Sequence, residues 1–329
     1  MEGAMVLRRF LMFAGCLLWS AVVTADWYTD EQAIMGTVIR TELWSDDPLT
    51  AAEAIMLVNE EMHRIDRLMS TYKPDSEISR VNRDAAENPV RISAELLDLL
   101  ARGIEMSRLS HGAFDITYAS VGQMYDFRAG VRPDEKQINA ILPAIDYRFV
   151  ELDPAERTVS FARPGVRIDL GGIAKGYAVE RGVGILRGQG IEHGLVSAGG
   201  DSRVLGDRRG APWIVGVRDP RNSDWVVARL PLIDEAISTS GDYERFFEED
   251  GVRYHHIISP VTGHSAGEVR SVTIIGPNAT MTDGLSTSVF VMGVQDGLQL
   301  IDSLDDFEAV IVDKHGQLHQ SDGFLPPKK

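Results

Sequence analysis

Segments typical of β-strands follow one another through the second half of the chain, and this order constrains the fold more than any other feature. They are bounded by turn residues and lie at 194–205, 213–217, 226–233, 255–259, 269–275 and 309–312. A parallel sheet would instead show strands and helices in regular alternation. The order therefore predicts an α+β fold in which antiparallel sheets pack against helices.

The first half of the chain adds helices that would cover such sheets. Thr50 and Glu53 form a capping box, which predicts that a helix begins at Thr50. A second helix is predicted over 93–110, with Gly112 as its stop signal. Further patterns predict a strand over 33–43, a hairpin of 149–152 with 158–161, a strand over 166–170 and a helix from about Tyr177.

Size and charge narrow the class of protein. The chain has 329 residues, 44% of them hydrophobic, which is enough for one domain or two closely packed lobes over 26–329. No repeat or linker divides this range. Lysine and arginine total 33 against 49 acidic residues, a formal charge of -16. Such a charge opposes general binding to nucleic acid, so a polyanionic ligand would require local cations or a metal.

Residues 1–25 are typical of an export signal, which would make the mature protein periplasmic. Two arginines precede an apolar run over 10–23, and Ala25 completes a small-residue cleavage site. The run is shorter than the ~20 residues of an ordinary membrane span, and a retained anchor is one alternative. A lipoprotein anchored at Cys16 is another. Cleavage after Ala25 would leave no cysteine, which excludes disulfides and thiolate catalysis.

A glycine-rich element lies between the predicted strand over 166–170 and the helix that follows it. It reads DLGGIAKG over 169–176, and exposed amides at such a junction let a phosphate or a cation approach the backbone. It matches neither a Rossmann fingerprint nor a Walker loop. A tight structural turn explains the same glycines equally well.

A carboxylate and a hydroxyl share one face of a helix that is predicted to begin near Thr282. Asp283 and Thr287 are four residues apart, so their side chains project from the same side. Both are hard oxygen ligands, which suit Mg²⁺ or Ca²⁺ and do not suit zinc. The alternative is an aspartate that interacts with the helix dipole beside a threonine that bonds back to its own turn.

Two adjacent histidines, His255 and His256, lie on the predicted strand over 255–259. Neighbours on a strand point to opposite faces, so at most one of them faces a given site. The alternative to a catalytic base is a histidine that packs with its ring nitrogens satisfied.

A series of short motifs resembles, in order, the motifs of the ApbE family of exported flavin transferases. The motifs read MGT (35–37), STY (70–72), SEISRVN (76–82), GAFD (112–115), DLGGIAKG (169–176), AGGD (198–201), HIISPVTG (256–263) and DGLST (283–287). The resemblance implies an α+β architecture related to the T-fold, with a flavin site between two lobes. It also implies an Mg²⁺-dependent transferase that takes FAD as substrate, releases AMP and links FMN through a phosphoester to a threonine or serine of an acceptor protein.

The same resemblance implies roles for residues at matched motif positions. His256 would take the proton from the acceptor hydroxyl. Mg²⁺ would be held by the Gly172 carbonyl, Asp283, Thr287 and the Ser286 carbonyl. The flavin nucleotide would contact Met35, Tyr72, Ala113, Phe114, Asp115, Asp169, Lys175 and Ile257.

Two positions depart from the family pattern. Ser259 stands where the family usually has an aspartate, and Glu180 stands where it often has one. The loss of a carboxylate three residues after His256 would alter the orientation or the pKa of that histidine.

Two other functions are compatible with the same motifs. An FAD pyrophosphatase would use the same metal and flavin site with water as acceptor. A periplasmic flavin-binding protein would hold FAD without cleaving it. For a transferase, the resemblance implies an acceptor such as a subunit of sodium-pumping NADH:quinone reductase, of an Rnf-type complex or of a nitrous-oxide reduction regulator.

Overall fold

The computed structural model describes residues 25–324. The predicted export signal, apart from Ala25, and the alternative lipid anchor at Cys16 lie outside this range. Within it, no helix combines the length and the apolar character that crossing a lipid bilayer requires.

All strand pairings in the described range are antiparallel, which confirms the predicted α+β class. The strands are β1 (Asp26–Ile34), β2 (Thr37–Ser45), β3 (Val90–Arg91), β4 (Val150–Asp153), β5 (Thr158–Phe161), β6 (Gly194–Ala198), β7 (Asp201–Leu205), β8 (Trp213–Arg218), β9 (Val226–Leu232), β10 (Ala236–Gly241), β11 (Phe246–Glu249), β12 (Val252–His255), β13 (Val269–Gly276), β14 (Glu308–Asp313) and β15 (Leu318–Gln320). The main sheet has the order β1-β2-β6-β7-β10-β13-β14-β15. Three small sheets pair β11 with β12, β8 with β9, and β5 with both β3 and β4.

Three long helices form a layer against the main sheet. The helices are α1 (Pro48–Met69), α2 (Glu77–Asp84), α3 (Ala94–Leu109), α4 (Ala119–Gly122), α5 (Glu135–Ile141), α6 (Ala174–Gly188), α7 (Ala279–Met292) and α8 (Val294–Asp302). Helix α1 packs against β2, α6 against β6 and β7, and α7 against β10 and β13, while α6 also contacts both α1 and α7. The central position of α6 places its N-terminus beside α7 and the start of β7.

Helix α1 shows how the sequence builds this layer. Val58, Met62 and Ile65 recur at helical spacing and are fully buried. Burial of each such side chain contributes about 1.5–3 kcal/mol relative to exposure. The same stripe therefore fixes both the helix and the face that it turns to the core.

The start of α1 differs from the predicted one. The Asp47 side chain accepts hydrogen bonds from the backbone N–H groups of Leu49 and Thr50, so Asp47 is the N-cap. Pro48 occupies the first helical position, where its missing N–H costs nothing. The Thr50 hydroxyl donates to Asp47 at 2.7 Å, so Thr50 lies inside the first turn and does not cap it.

The strand predicted over 33–43 is wrong, because a turn divides this range. Met35 and Gly36 have φ angles of 57° and 72°, and Ile34 pairs with Thr37 across the turn. Two positive φ values suit the right-handed twist of a two-residue hairpin. The result is two antiparallel strands, β1 and β2, at the edge of the main sheet.

The strand predicted over 166–170 is also wrong, although backbone groups of residues 167–169 are hydrogen-bonded to other parts of the chain. Ile168 exchanges two bonds with the Asn82 side chain, each 2.8 Å long. Arg167 donates to the Ser120 hydroxyl at 3.0 Å, and Asp169 donates to the Ile116 carbonyl at 2.9 Å. Side chains from distant segments therefore replace the strand partner that the apolar pattern suggested.

Two more predicted strands are wrong. The range 194–205 is divided by a turn at Gly199 and Gly200 into the paired strands β6 and β7. The range 255–259 shares only His255 with β12, and Ile258 beyond it forms an isolated bridge with Ser265. Helix α3 and the β4–β5 hairpin lie within one residue of their predicted bounds, while α6 begins before Tyr177 and α7 begins before Thr282.

Candidate active site

A buried ion cluster lies where α6, α7 and β7 meet. The Lys175 ammonium, in the first turn of α6, forms a short ion pair with Asp201, at the start of β7, and lies 3.6 Å from Asp283 of α7. Asp201 is 1% exposed and Asp283 is 2% exposed. One lysine therefore faces two buried carboxylates. With both carboxylates ionised, the cluster carries one net negative charge.

The pKa values in this cluster reflect that imbalance. Burial raises the pKa of Asp283, and the negative charge of Asp201 raises it further. Burial alone would lower the pKa of Lys175, but Asp201 and Asp283 outweigh it and raise that pKa above its ordinary value. A bound cation beside Asp283 would favour the ionised carboxylate.

Asp283 lies in the second turn of α7, because the helix begins at Ala279 with Asn278 as its N-cap. An interaction of Asp283 with the free amides of the helix start is therefore wrong as an account of this residue. Its carboxylate accepts instead from the backbone N–H of Gly176 at 2.8 Å. Position 176 must be glycine, since a Cβ there would lie 2.1 Å from the Ala279 carbonyl oxygen.

Three of the predicted metal-binding residues belong to α7, and the fourth, Gly172, lies in the loop before α6. A Cβ on Gly172 would lie 3.2 Å from the Thr287 hydroxyl oxygen, so the Gly172 backbone borders Thr287. The Ser286 hydroxyl donates to the Asp283 carbonyl at 2.9 Å and lies 2.8 Å from the Ser240 hydroxyl. The Thr287 hydroxyl has no bond back to its own helix turn and lies 3.3 Å from Ser240 Oγ.

The predicted donors are all oxygen atoms, and such donors suit a hard cation. In residues 25–324, no three histidine, cysteine, aspartate or glutamate side chains lie close enough to hold a metal together. One carboxylate, one hydroxyl and a glycine backbone without a covering side chain stand together instead. Mg²⁺ takes such oxygen donors and usually completes its shell with water or substrate phosphate.

The two adjacent histidines have different environments, although His256 lies just beyond the strand on which both were predicted. His255 is buried, its Nε2 lies 2.7 Å from the Ala266 carbonyl, and its ring packs edge-on against Phe290. His256 follows the end of β12, and its Nδ1 is buried without a hydrogen-bond partner in the described range. Burial and the nearby charge of Arg245 lower the pKa of His256 to about 3. His256 is therefore the neutral imidazole of the site, and His255 is a packing residue.

Asp169 lies at the other end of the glycine-rich element and is held in place by three donors. Its carboxylate accepts from the Thr71 hydroxyl at 2.8 Å, from the Tyr118 hydroxyl at 3.3 Å and from the Gly171 N–H at 2.6 Å. Burial and the charge of Asp169 raise the pKa of Tyr118 well above its ordinary value, so Tyr118 remains a neutral donor.

The other predicted flavin contacts differ in how available they are. Tyr72, beside Thr71, is 86% exposed, so its ring is open to a ligand. A Cβ on Gly172 would lie 3.0 Å from the Phe114 ring, which places Phe114 beside this predicted metal-binding residue. Ile257 is buried next to His256, Met35 lies in the β1–β2 turn, and Ala113 is half-buried.

Asp115 is the predicted contact with the least freedom. One carboxylate oxygen accepts from the N–H and the hydroxyl of Thr117, and the other accepts from the Tyr147 N–H at 2.8 Å. Burial raises the pKa of Asp115. Its side chain thus caps the short helical turn Ile116–Tyr118 and ties it to Tyr147.

The two departures from the family pattern have distinct positions. The Glu180 side chain accepts from the N–H of Ala279 at 2.7 Å, so it stabilises the start of the helix that carries Asp283. Ser259 lies in the turn after His256, where its backbone bonds to Gly263 and His264.

Asp201 and Arg245 are the site residues that the sequence did not single out. Asp201 lay within the AGGD motif, but nothing in its spacing indicated Lys175 as its partner. The Asp250-Gly251 pair is a hairpin turn signal, and its strand register places Arg245 opposite His256.

Comparison with known proteins agrees with the motif order. The profile of the ApbE family matches residues 35–311. The FAD:protein FMN transferase of Treponema pallidum is 32% identical, over 91% of this chain and 88% of that protein. The FAD:protein FMN transferase of Vibrio cholerae is 31% identical, over 90% of this chain and 89% of that protein.

Solved structures show the same fold. The ApbE protein from Thermotoga maritima superposes with a TM-score of 0.85 at 34% identity, over 91% of this chain and 98% of that chain. The flavin transferase ApbE from Vibrio cholerae superposes with a TM-score of 0.80 at 29% identity, over 92% of this chain and 99% of that chain.

Proposed function

This chain belongs to the ApbE family, and from that premise we propose the chemistry that its site performs. The protein is an FAD:protein FMN transferase: it cleaves the FAD diphosphate, releases AMP and leaves FMN linked through a phosphoester to a threonine or serine of an acceptor protein. Relatives with that name cover about nine tenths of the chain. The observation that carries the chemistry is the buried Lys175–Asp201–Asp283 cluster.

Mg²⁺ is the cofactor that these residues suit. Asp283, the Thr287 hydroxyl and the backbone carbonyls of Gly172 and Ser286 would hold it. When bound, Mg²⁺ would draw negative charge from the diphosphate and make AMP a better leaving group. Support comes from the excess of carboxylate over ammonium in the cluster, which a divalent cation would reverse.

His256 supplies the proton acceptor. Its lowered pKa keeps the imidazole neutral at physiological pH in the protein without substrate. The Nδ1 atom has no hydrogen-bond partner in the described range, so it is free to accept the proton of the acceptor hydroxyl. The hydroxyl oxygen then bonds to the phosphorus of the FMN half, and the bond from that phosphorus to the AMP phosphate breaks. The proton resides on His256, and AMP leaves with the electron pair of the broken bond.

The protein's other residues position the substrate. Tyr72 offers an exposed aromatic face to a ring of FAD. Asp169, fixed by Thr71 and Tyr118, offers a carboxylate at the edge of the site. Phosphoryl transfer depends mostly on such positioning and on electrostatics.

The test is to incubate the protein with FAD, Mg²⁺ and a candidate acceptor domain, and to measure the mass of the acceptor and the released nucleotide. We expect a mass gain that matches FMN, release of AMP, and loss of both in EDTA. Free FMN and AMP with an unmodified acceptor would indicate a pyrophosphatase. Intact FAD that stays bound would indicate a flavin-binding protein.

His256→Ala tests the base in the same assay. We expect transfer to fall by about 10² to 10⁴ while FAD binding is largely kept, since a positioned base contributes rate and not affinity. Unimpaired transfer by this variant would refute the role of His256.

Export and the acceptor class complete the proposal. The charged and apolar pattern of 1–25 supports secretion to the periplasm, with a lipid anchor at Cys16 as the alternative form of processing. The acceptor is a protein of an electron-transfer complex with a threonine or serine in its flavinylation motif. Mass spectrometry of the N-terminus of the native protein distinguishes cleavage after Ala25 from lipidation.

A further inference from the structure

Arg245 is the residue across the hairpin from His256. In the β11–β12 ladder Phe246 pairs with His255, so the next pair outward is Arg245 with His256. The backbone N–H of His256 donates to the Arg245 carbonyl at 3.1 Å, which continues the hairpin by one more bond. Side chains of directly opposed residues project to the same face of an antiparallel pair. Arg245 therefore stands on the His256 side of the hairpin.

The Arg245 guanidinium also reaches the turn that carries Met35. Its Nη2 atom lies 3.8 Å from the position that a Cβ on Gly36 would occupy. Its positive charge lowers the pKa of His256 and opposes the rise in the pKa of Lys175. The guanidinium thus lies beside the turn that carries a predicted flavin contact and on the same face of the hairpin as His256.

Arg245 differs from the neighbouring cations because its charge is not matched. Arg253 of β12 bonds to Glu248 at 2.9 Å, and Arg132 bonds to the hairpin residue Glu249 at 2.7 Å. Lys175 is paired with Asp201. Over residues 25–324, no carboxylate oxygen lies within 4 Å of the Arg245 guanidinium, and the residue is exposed.

A free guanidinium beside a neutral histidine and a paired lysine is suited to an anion from outside the chain. Its planar fork matches phosphate oxygens in a bidentate geometry. In the proposed reaction the anionic group that must come to His256 is the FAD diphosphate. We propose that Arg245 binds the diphosphate of FAD, on the hairpin side of the site and apart from the Asp283 side where the cation would bind.

This inference rests on the proposed function, but it can be tested without turnover. The dissociation constants of FAD and of riboflavin, which lacks phosphate, are measured in EDTA for the wild type, R245A and R245K. R132A is the matched control, because it removes an exposed arginine of the same hairpin region that already has a carboxylate partner. Thermal melting of each variant checks that it is folded.

We expect R245A to weaken the affinity for FAD about 10- to 100-fold, as for the loss of a hydrogen-bonded charge. Its affinity for riboflavin should be unchanged. R245K keeps the charge but loses the fork, so its affinity for FAD should be intermediate. R132A should bind both ligands as the wild type does.

Two results would overturn the inference. One is an R245A affinity for FAD equal to that of the wild type. The other is an equal loss of affinity for FAD and for riboflavin, which would mean that Arg245 supports the fold or contacts the flavin ring. A wild-type protein that binds no FAD would instead count against the proposed function. A change only in the pH profile of transfer, with FAD affinity unchanged, would make Arg245 a residue that acts through His256.

Discussion

At the scale of single residues, the partner that a side chain already has decides what it can do for a ligand. Both carboxylate oxygens of Asp115 already accept hydrogen bonds, from Thr117 and from Tyr147. Asp115 therefore contributes to a flavin site by fixing the backbone of these segments. Lys175 is restrained by Asp201, so it neutralises charge from a fixed position. Arg245 has no such restraint in the described range.

Asp201→Ala tests the restraint on Lys175. Removal of one partner leaves the lysine with Asp283 at 3.6 Å, so we expect Lys175 to compete with a bound cation for Asp283 and transfer to fall. The free energy of unfolding should drop by about 3 kcal/mol, as for a broken buried pair. Urea denaturation measures it, with Asp98→Ala as control, because that exposed pair with Arg102 should contribute less than about 1 kcal/mol. Equal effects of the two changes would contradict the importance of burial.

The pKa of His256 yields a prediction about stability and pH. Its folded pKa, about 3, is below the ordinary 6.5, so the unfolded chain binds the proton more readily. The wild type should therefore lose stability relative to His256→Ala as pH falls from 7 to 5. Imidazole proton resonances should show no titration of His256 between pH 5 and 8. A midpoint near 6.5 would contradict the environment described for this residue.

At the scale of elements, the close approach of α6 and α7 sets the geometry of the site. The helices meet at Gly176, where the backbone of α6 lies against Ala279 and donates to Asp283. Glu180, one turn further along α6, bonds to the same end of α7. The distance between Lys175 and Asp283 is therefore fixed by helix packing.

Gly176→Ala should separate the two helices. The added Cβ meets backbone, which cannot rotate away, so we expect a loss of about 1–3 kcal/mol in stability. A shift of about 1 Å in Asp283 should reduce transfer about 100-fold. Gly184→Ala is the control, because it lies in the same helix with nothing near the added Cβ, and it should be neutral or slightly stabilising. Wild-type behaviour of the Gly176 variant would mean that the helices do not meet so closely.

Helices α1, α3 and α6 are tied together by a charged network around Arg64. Arg64 bonds to Glu61 of its own helix and to Glu95 of α3, and Arg181 of α6 also bonds to Glu61. The hydrogen bonds from Arg64 hold the pKa values of Glu61 and Glu95 below 4.5. The stability of this network should therefore be present above pH 4.5 and lost as pH falls below it.

Arg64→Ala measures how much this charged network contributes to the free energy of unfolding. We expect the free energy of unfolding to fall by about 1 kcal/mol at pH 7, a value kept small because the side chain is partly exposed. The difference from the wild type should shrink between pH 4.5 and pH 3. A difference that stays constant with pH would indicate lost packing and not lost charge.

The elements also show what sequence patterns can and cannot predict. The antiparallel class and helix α3 follow from local patterns and caps, so they were predicted. The segment 166–170 was not, because its backbone partners are the side chains of Asn82 and Ser120, which are distant in sequence. The same holds for the Asp201–Lys175 pair, which exists only once β7 and α6 have packed. The Asp250-Gly251 dipeptide is typical of a hairpin turn, and counting outward from it pairs Arg245 with His256. This signal was not used to predict the site.

At the scale of the whole molecule, the site draws residues from segments spread along almost the whole described range. Thr71, Asp169, Asp283 and the hairpin residue His256 come together only in the complete fold. Ligands that bind this arrangement bind the folded state alone, so they must stabilise it.

Thermal melting checks this linkage. FAD with Mg²⁺ at a hundredfold excess over its dissociation constant should add about 2.7 kcal/mol. For a domain of this size that corresponds to a rise in Tm of roughly 4 °C. FAD in EDTA should give a smaller rise. No rise with either addition would mean that the folded protein does not bind FAD.

The hairpin β11–β12 forms a sheet of its own and shares no strand ladder with the eight-stranded sheet in the described range. A change in its sequence therefore leaves the register of the main sheet intact. Side chains tie it to the rest of the protein instead: Arg253 pairs with Asp242, and Glu249 pairs with Arg132. The position of Arg245 and His256 relative to the ion cluster therefore depends on these exposed and half-buried side-chain contacts, which are far easier to alter than a central strand ladder.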